Sequence, residues 1–333
     1  MLRRTAIIAV CAAFTCSFAQ HPDAGTAAFP SLNMGYDARA VSMADAAAAM
    51  PNDIYGVLSN PAAIGFVSRS QIMGGYRQMM MDVWGGPLGV SWQSEFGVFA
   101  ASLTMLSSGA FDIVDEDGGE TGARAQSSYT SGGVSFAKIV YDGLSVGGTV
   151  KGIYHYIGAG PDERYYADGY AADLGVQYRL TNGRLVYGAV LRNIGFMRSG
   201  YLDKFNEYPF PYGVEVGISH VPQHLPSLRV ALDVNKINGD YLNFEPAFEY
   251  ALLSNMLFLR GGYAFSYMDF EKTLENFRGE RDDSYRKSGA ATLSLGFGAA
   301  ASMDNVDVKL DAAVQFYTDV PEPSLIISIL FAF

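Results

Sequence analysis

From about residue 127 onward the chain alternates between apolar and polar positions. In 170–180, Tyr170, Ala172, Leu174, Val176, Tyr178 and Leu180 share one side, and Asp173, Gln177 and Arg179 share the other. Leu228, Val230, Leu232 and Val234 oppose Arg229, Asp233 and Asn235 in the same way, and Val306 to Phe316 oppose Asp307, Lys309, Asp311 and Gln315. Tyr212, Val214, Val216 and Ile218 oppose Glu215 and Ser219, and Leu144, Val146, Val150 and Tyr154 oppose Thr149, Lys151 and His155. A period of two is the signature of a strand with two unlike faces. The pattern predicts strands near 71–80, 83–93, 95–106, 127–140, 144–157, 169–180, 184–195, 210–220, 228–238, 243–252, 256–268, 289–300, 305–317 and 324–333, a count of 14.

The connections alternate as well. Asp142-Gly143 and Asn182-Gly183 are hairpin signals. Polar stretches at 112–126, 158–168, 198–211 and 269–288 read as long loops on the opposite end. Ahead of the strands, Arg39 to Met50 is alanine-rich and reads as a helix stopped by Pro51, and Asn60-Pro61 reads as a turn or helix start.

Composition decides which way the apolar faces look. Charged residues are 17% of the chain and hydrophobic residues 49%, with 37 Gly, 21 Tyr and 21 Phe. Soluble domains carry roughly 25% charge. A soluble β-sandwich would show the same alternation strand by strand, but here nearly every strand is two-faced, with charges midway along the polar face. That is the pattern of a lumen. The expected fold is therefore all-β, a closed antiparallel 14-stranded transmembrane β-barrel spanning 67–333, with outer-membrane lipid against its exterior. Lys151, Asp173, Arg179, Arg192, Arg229, Asp233 and Arg260 are the expected luminal charges.

The first 19 residues, with Arg3 and Arg4, a short apolar core and Ser17 and Ala19 before the break, read as a secretory signal peptide. A lipoprotein reading would make Cys16 the lipidated residue, but AFTC lacks the usual pattern. Both cysteines, Cys11 and Cys16, fall in this leader, leaving no thiol chemistry in the mature chain. After it, no charge-free run reaches 18 residues, so a membrane-spanning helix is not expected. The cell outer membrane is the expected location. Residues 20–38 form an N-terminal arm ahead of the segment 39–66.

Catalytic and cofactor signals are sparse. His220 and His224 flank a turn without any HExxH or cysteine companion, and the Gly-Gly pairs lack the setting of a phosphate loop. Glu245 and Glu249 point the same way on a strand, which lumen polarity explains without invoking acid–base chemistry. No G-x-S-x-G elbow occurs. The net charge of -11 provides no basic stripe for nucleic acid. The expectation is a non-enzyme with no catalytic residues, no metal and no cofactor.

SLNMGYDARAVSMADAAAAMPNDIYGVLSNPAAIGF, YAADLGVQYRL, LVYGAVLRNIG and PFPYGVEVGISH occur in an order and spacing that resembles the PorV/PorQ family of outer-membrane proteins, related to the long-chain fatty-acid transporter barrels. The terminal aromatic strand SLIISILFAF resembles that of outer-membrane barrels. Met43-Ala44-Asp45 and Ala63-Ile64 depart from the family pattern and leave its branch open. The resemblance implies a component of type IX protein secretion that docks or shuttles cargo or surface attachment proteins. Leu202, Phe205 and Tyr208, apolar and aromatic anchors in an otherwise charged loop, are the expected partner loop. It also implies that 39–66 folds into the barrel as a luminal plug or hatch, with Asp53, Asn60, Pro61 and Ala62 as its motif and Asp45, Asn52, Asp53 and Asn60 meeting luminal arginines. The alternative is an outer-membrane transporter of a small hydrophobic ligand. A passive porin is a third reading, opposed by the plug.

Overall fold

The computed structural model describes residues 27–50, 53–114, 119–159, 163–180, 183–201, 208–267, 291–317 and 321–333. The leader and most of the arm lie outside these residues, as do Leu202 and Phe205 of the expected partner loop.

Fourteen strands form one sheet: β1 (Gln71–Gln78), β2 (Trp84–Ser94), β3 (Gly97–Val114), β4 (Glu120–Tyr141), β5 (Leu144–Ala159), β6 (Glu163–Leu180), β7 (Leu185–Ser199), β8 (Gly213–His220), β9 (Leu228–Ile237), β10 (Leu242–Leu252), β11 (Leu257–Ser266), β12 (Thr292–Met303), β13 (Val306–Tyr317) and β14 (Ser324–Ala332). Each pairs antiparallel with its chain neighbour, and β1 closes on β14. Closure leaves no outer edge strand to be satisfied by water, the condition for a sheet to sit in hydrocarbon. Among the described residues no helix is long and apolar enough to cross a membrane.

The alternation resolves as expected. Leu174, Val176, Leu232, Leu310, Leu325 and Ile327 face outward and are exposed, while Asp173, Gln177, Asp233, Asp311 and Ile326 between them are buried. Each large apolar side chain on the outside would forgo about 1.5–3 kcal/mol if left in water, so the exterior requires lipid. The chain is an outer-membrane barrel.

The strands on one side are longer than the alternation predicted. β4 has 22 residues and β6 has 18, against 8 in β8, where a tilted strand needs about 9–11 to cross. The described parts of 112–126 and 158–168 are therefore strand, not loop. Once a hairpin clears the lipid, the ladder can continue with polar residues on both faces, so the period-two signal vanishes although pairing does not.

The helix expected over Arg39–Met50 is also corrected. Only α1 (Ala38–Ser42) is helical, capped by Asp37, whose carboxylate accepts from the N–H groups of Arg39 and Ala40. Ala44 and Asp45 then take positive φ, 55° and 65°. The alanines still pack closely, but as an irregular chain laid against the wall, so tertiary contact overrides their helix propensity. Asn60 and Pro61 start a short 3-10 helix, Pro61–Phe66, as expected.

Candidate functional site

Residues 29–50 and 53–67 run across the inward faces of strands around the ring. Phe29, Ala38, Val41, Met43, Ala46, Ile54, Val57 and Ile64 are buried. The contact begins ten residues before the expected boundary at Arg39. Glycines on the inner wall make room for it. A Cβ on Gly188 would lie 1.9 Å from the Ala48 carbonyl oxygen, and one on Gly175 would lie 2.1 Å from Asn60 Oδ1.

Polar contacts fix the segment to the wall. The Asn60 amide donates to the carbonyls of Ala48 (2.8 Å) and Val176 (3.1 Å), and its oxygen accepts from the N–H of Ala62 (3.1 Å). Gln177 donates to the Met50 carbonyl at 2.8 Å, Ser219 donates to that of Ala49 at 2.8 Å, and the Ala48 N–H donates to Asp233 at 2.7 Å. Tyr55 donates to the carbonyls of Gly74 (2.7 Å) and Ile329 (3.0 Å), beside the β1–β14 closure.

Charged side chains on the inward faces pair largely within the wall, and Arg39 joins them from the central segment. Arg39 forks onto Glu249 at 2.8 and 2.9 Å, Arg260 bonds the same carboxylate at 2.7 Å, and Arg260 continues to Asp311 at 2.6 Å. Asp53 caps Ile54–Leu58 and lies 3.7 Å from Arg39, an arginine of its own segment. Lys151 pairs with Asp173 at 2.8 Å, and Arg192 pairs with Glu215 at 3.1 Å while donating to the Leu58 carbonyl. Arg179 lies over the Phe66 ring, 3.6 Å from its centroid, and Arg229 donates to Ser219. Asn52 lies outside the described residues. Opposite charges on neighbouring strands reach each other before the central segment does, which is why Lys151, Arg192 and Arg260 are neutralised by the wall.

Among the described residues, one seam of the wall is incomplete. The β7–β8 ladder runs from Leu185 opposite His220 to Arg192 opposite Gly213, and β7 continues to Ser199 beyond the start of β8. A bulge marks the break: Asn193 has φ 55°, its N–H donates to Asp173 at 2.7 Å, and the β6–β7 register shifts between Ala172 and Leu174. Behind the half of β7 that β8 does not reach lies an apolar cluster of Phe29, Leu32, Tyr129, Ile153, Ala171 and Phe210, with Met197 packed against it. The rings of Phe29 and Phe210 meet edge to face, 5.5 Å between centroids. Neither the seam nor this cluster was legible in sequence, although the departure from alternation at Arg192-Asn193 was a signal for the bulge.

The interior otherwise holds cavities of about 320 Å³, lined by Arg192, Glu215, Asn243 and Glu245, and about 360 Å³, lined by Met34, Arg77, Met79 and Tyr317. Tyr208 of the expected partner loop is exposed.

The backbone has solved counterparts. The crystal structure of the Pseudomonas putida toluene transporter TodX aligns with a TM-score of 0.63 at 14% identity, covering 90% of this chain and 99% of that one. The fold is that of the TodX barrel. A Pseudomonas aeruginosa FadL homologue aligns with a TM-score of 0.55 at 13% identity over 89% of this chain and 98% of its own. No family model matches the sequence, and no curated protein is similar to it at the level of sequence. At these identities the neighbours show the fold. They lend nothing to the PorV/PorQ likeness or to type IX secretion.

Proposed function

We propose that the protein carries small hydrophobic molecules across the outer membrane, with residues 29–67 acting as a luminal hatch and the β7–β8 seam as the lateral exit to lipid. The observation that carries the reading is the seam itself, where an apolar cluster backs a stretch of strand without a pairing neighbour in β8. A molecule of toluene's size loses apolar surface to water at every step of an aqueous route and gains about 25 cal/mol per Å² whenever that surface is covered. A path from the Phe29–Phe210 cluster past Met197 into hydrocarbon keeps it covered, whereas the charged wall at Glu249, Arg260 and Asp311 does not. The likeness to the toluene transporter TodX supports the same reading.

The test is uptake. Cells lacking their own hydrophobic-compound barrels, supplied with this chain, are expected to take up a radiolabelled monoaromatic hydrocarbon faster than empty-vector cells and to show no gain for a polar solute of similar size. Equal uptake with and without the chain would overturn the proposal. Recovery of surface attachment proteins with the barrel from mild detergent would then return the docking role to first place.

A further inference from the structure

Three carboxylates converge on the inner wall where β8, β9 and β10 run side by side. Asp233 sits directly opposite Glu245 and one pleat from Glu215, whose own partner in the register is Asn235. All three are buried, at 4%, 0% and 5% exposure for Glu215, Asp233 and Glu245. One oxygen from each lies within 4.8 Å of the others. Like charges facing each other across a pair of strands destabilise a sheet, and burial multiplies the cost.

The protein satisfies half of each group. Glu215 accepts from Arg192, Asp233 from the Ala48 N–H, and Glu245 from the Asn235 amide. The second oxygens, Glu215 Oε1, Asp233 Oδ1 and Glu245 Oε2, are buried without a hydrogen-bond partner. Of the donors, Arg192 is the one that carries charge; Asp45 lines the same cavity and faces Arg77 as well as Arg192, so four carboxylates face two guanidinium groups and two negative charges remain. Gly217, opposite Asp233, preserves the arrangement, since a Cβ there would lie 2.1 Å from Asp233 Oδ1.

We propose that Glu215, Asp233 and Glu245 form a binding site for a hard divalent cation of the Ca²⁺ class. The ligands are oxygens throughout, which favours Ca²⁺ or Mg²⁺ over softer metals. Oxygens about 2.3–2.6 Å from one Ca²⁺ lie at most about 5 Å from each other, so three carboxylate oxygens all within 4.8 Å of one another can reach a single ion. The variable coordination number of Ca²⁺ suits three wall-bound carboxylates better than the strict octahedron of Mg²⁺. Glu215 and Glu245 line the 320 Å³ cavity together with Asn235 and Asn243, which gives a route of entry and room for water to complete the coordination shell. Two positive charges balance the two left over. Because Asp233 also holds the Ala48 N–H, the ion would brace the wall where the central segment is anchored.

The test uses the full chain, purified in detergent, stripped with chelator and titrated with Ca²⁺ alone at neutral pH. Calorimetry is expected to show one saturable site per chain, with the melting temperature rising on Ca²⁺ addition. Asp233→Asn and Glu245→Gln should each abolish binding and, in chelator, melt above the wild type, because the repulsion is gone. Asp307→Asn, on a partly exposed ion pair with Arg69, should bind as the wild type does. Absence of saturable binding to the wild type would overturn the proposal whatever the variants do, as would equal binding by Asp233→Asn and Glu245→Gln. A stripped wild type as stable as the calcium-treated protein would also count against it, pointing to shared protons as the means of neutralising the carboxylates.

Discussion

Asn60→Ala removes the side chain that ties the two halves of the central segment to each other and to β6. Asn60 is fully buried and makes three hydrogen bonds, to Ala48, Val176 and Ala62. The Ala48 carbonyl would keep a long contact from Gln177 at 3.4 Å, so its loss lies toward the lower end of the about 1–3 kcal/mol cost of an unsatisfied buried group. The lost cap on Pro61–Phe66 adds about 1 kcal/mol. Together these come to about 2–3 kcal/mol against the seated hatch. At about 1.4 kcal/mol per factor of ten, the displaced population rises roughly 30- to 150-fold. The assay is leakage of a small polar solute from liposomes carrying the purified barrel, with folded state checked by gel mobility before and after heating. Leakage rising by one to two orders of magnitude is expected. Leakage equal to the wild type, from a variant that folds, would refute both the anchoring role of Asn60 and the hatch as the barrier.

Glu249→Gln leaves Arg39 and Arg260 sharing a neutral amide, and breaking a buried ion network in this way costs about 3–5 kcal/mol; the denaturant midpoint of the folded barrel should fall, and an unchanged midpoint would count against the network. Gly188→Val drives side-chain atoms into the Ala48 carbonyl and should raise polar-solute leakage while leaving barrel assembly intact. Ala171→Trp fills the cluster behind the seam, and hydrocarbon uptake should fall while polar leakage stays at the wild-type level.

The wall was readable in sequence because its physics is local. A strand with lipid on one side and a lumen on the other must alternate, and Leu174 beside Asp173 or Ile327 beside Ser328 states that without reference to distant residues. The strand count followed from it. The central segment was harder. Its alanines carried a helical propensity that contact with Gly188 and Gly262 overrode, and its burial begins at Phe29 because aromatic packing on Phe210 depends on a residue 181 positions away. The acidic triad escaped for a related reason. Glu215, Asp233 and Glu245 lie on three strands whose register sets their proximity, and a search for histidine and cysteine spacings passes over them. The seam was invisible for want of any local mark apart from Asn193 at the bulge.

The path of the hydrophobic molecule is the central claim, and photolabelling tests it most directly. A small aromatic compound bearing a diazirine is equilibrated with the barrel in liposomes, irradiated, and the modified residues are mapped by mass spectrometry. Label is expected at Phe29, Tyr129, Met197 and Phe210, displaced by excess unlabelled hydrocarbon and reduced in Ala171→Trp. Label confined to outward residues such as Leu174, Leu232 and Leu310, and not displaced by competitor, would contradict an internal route.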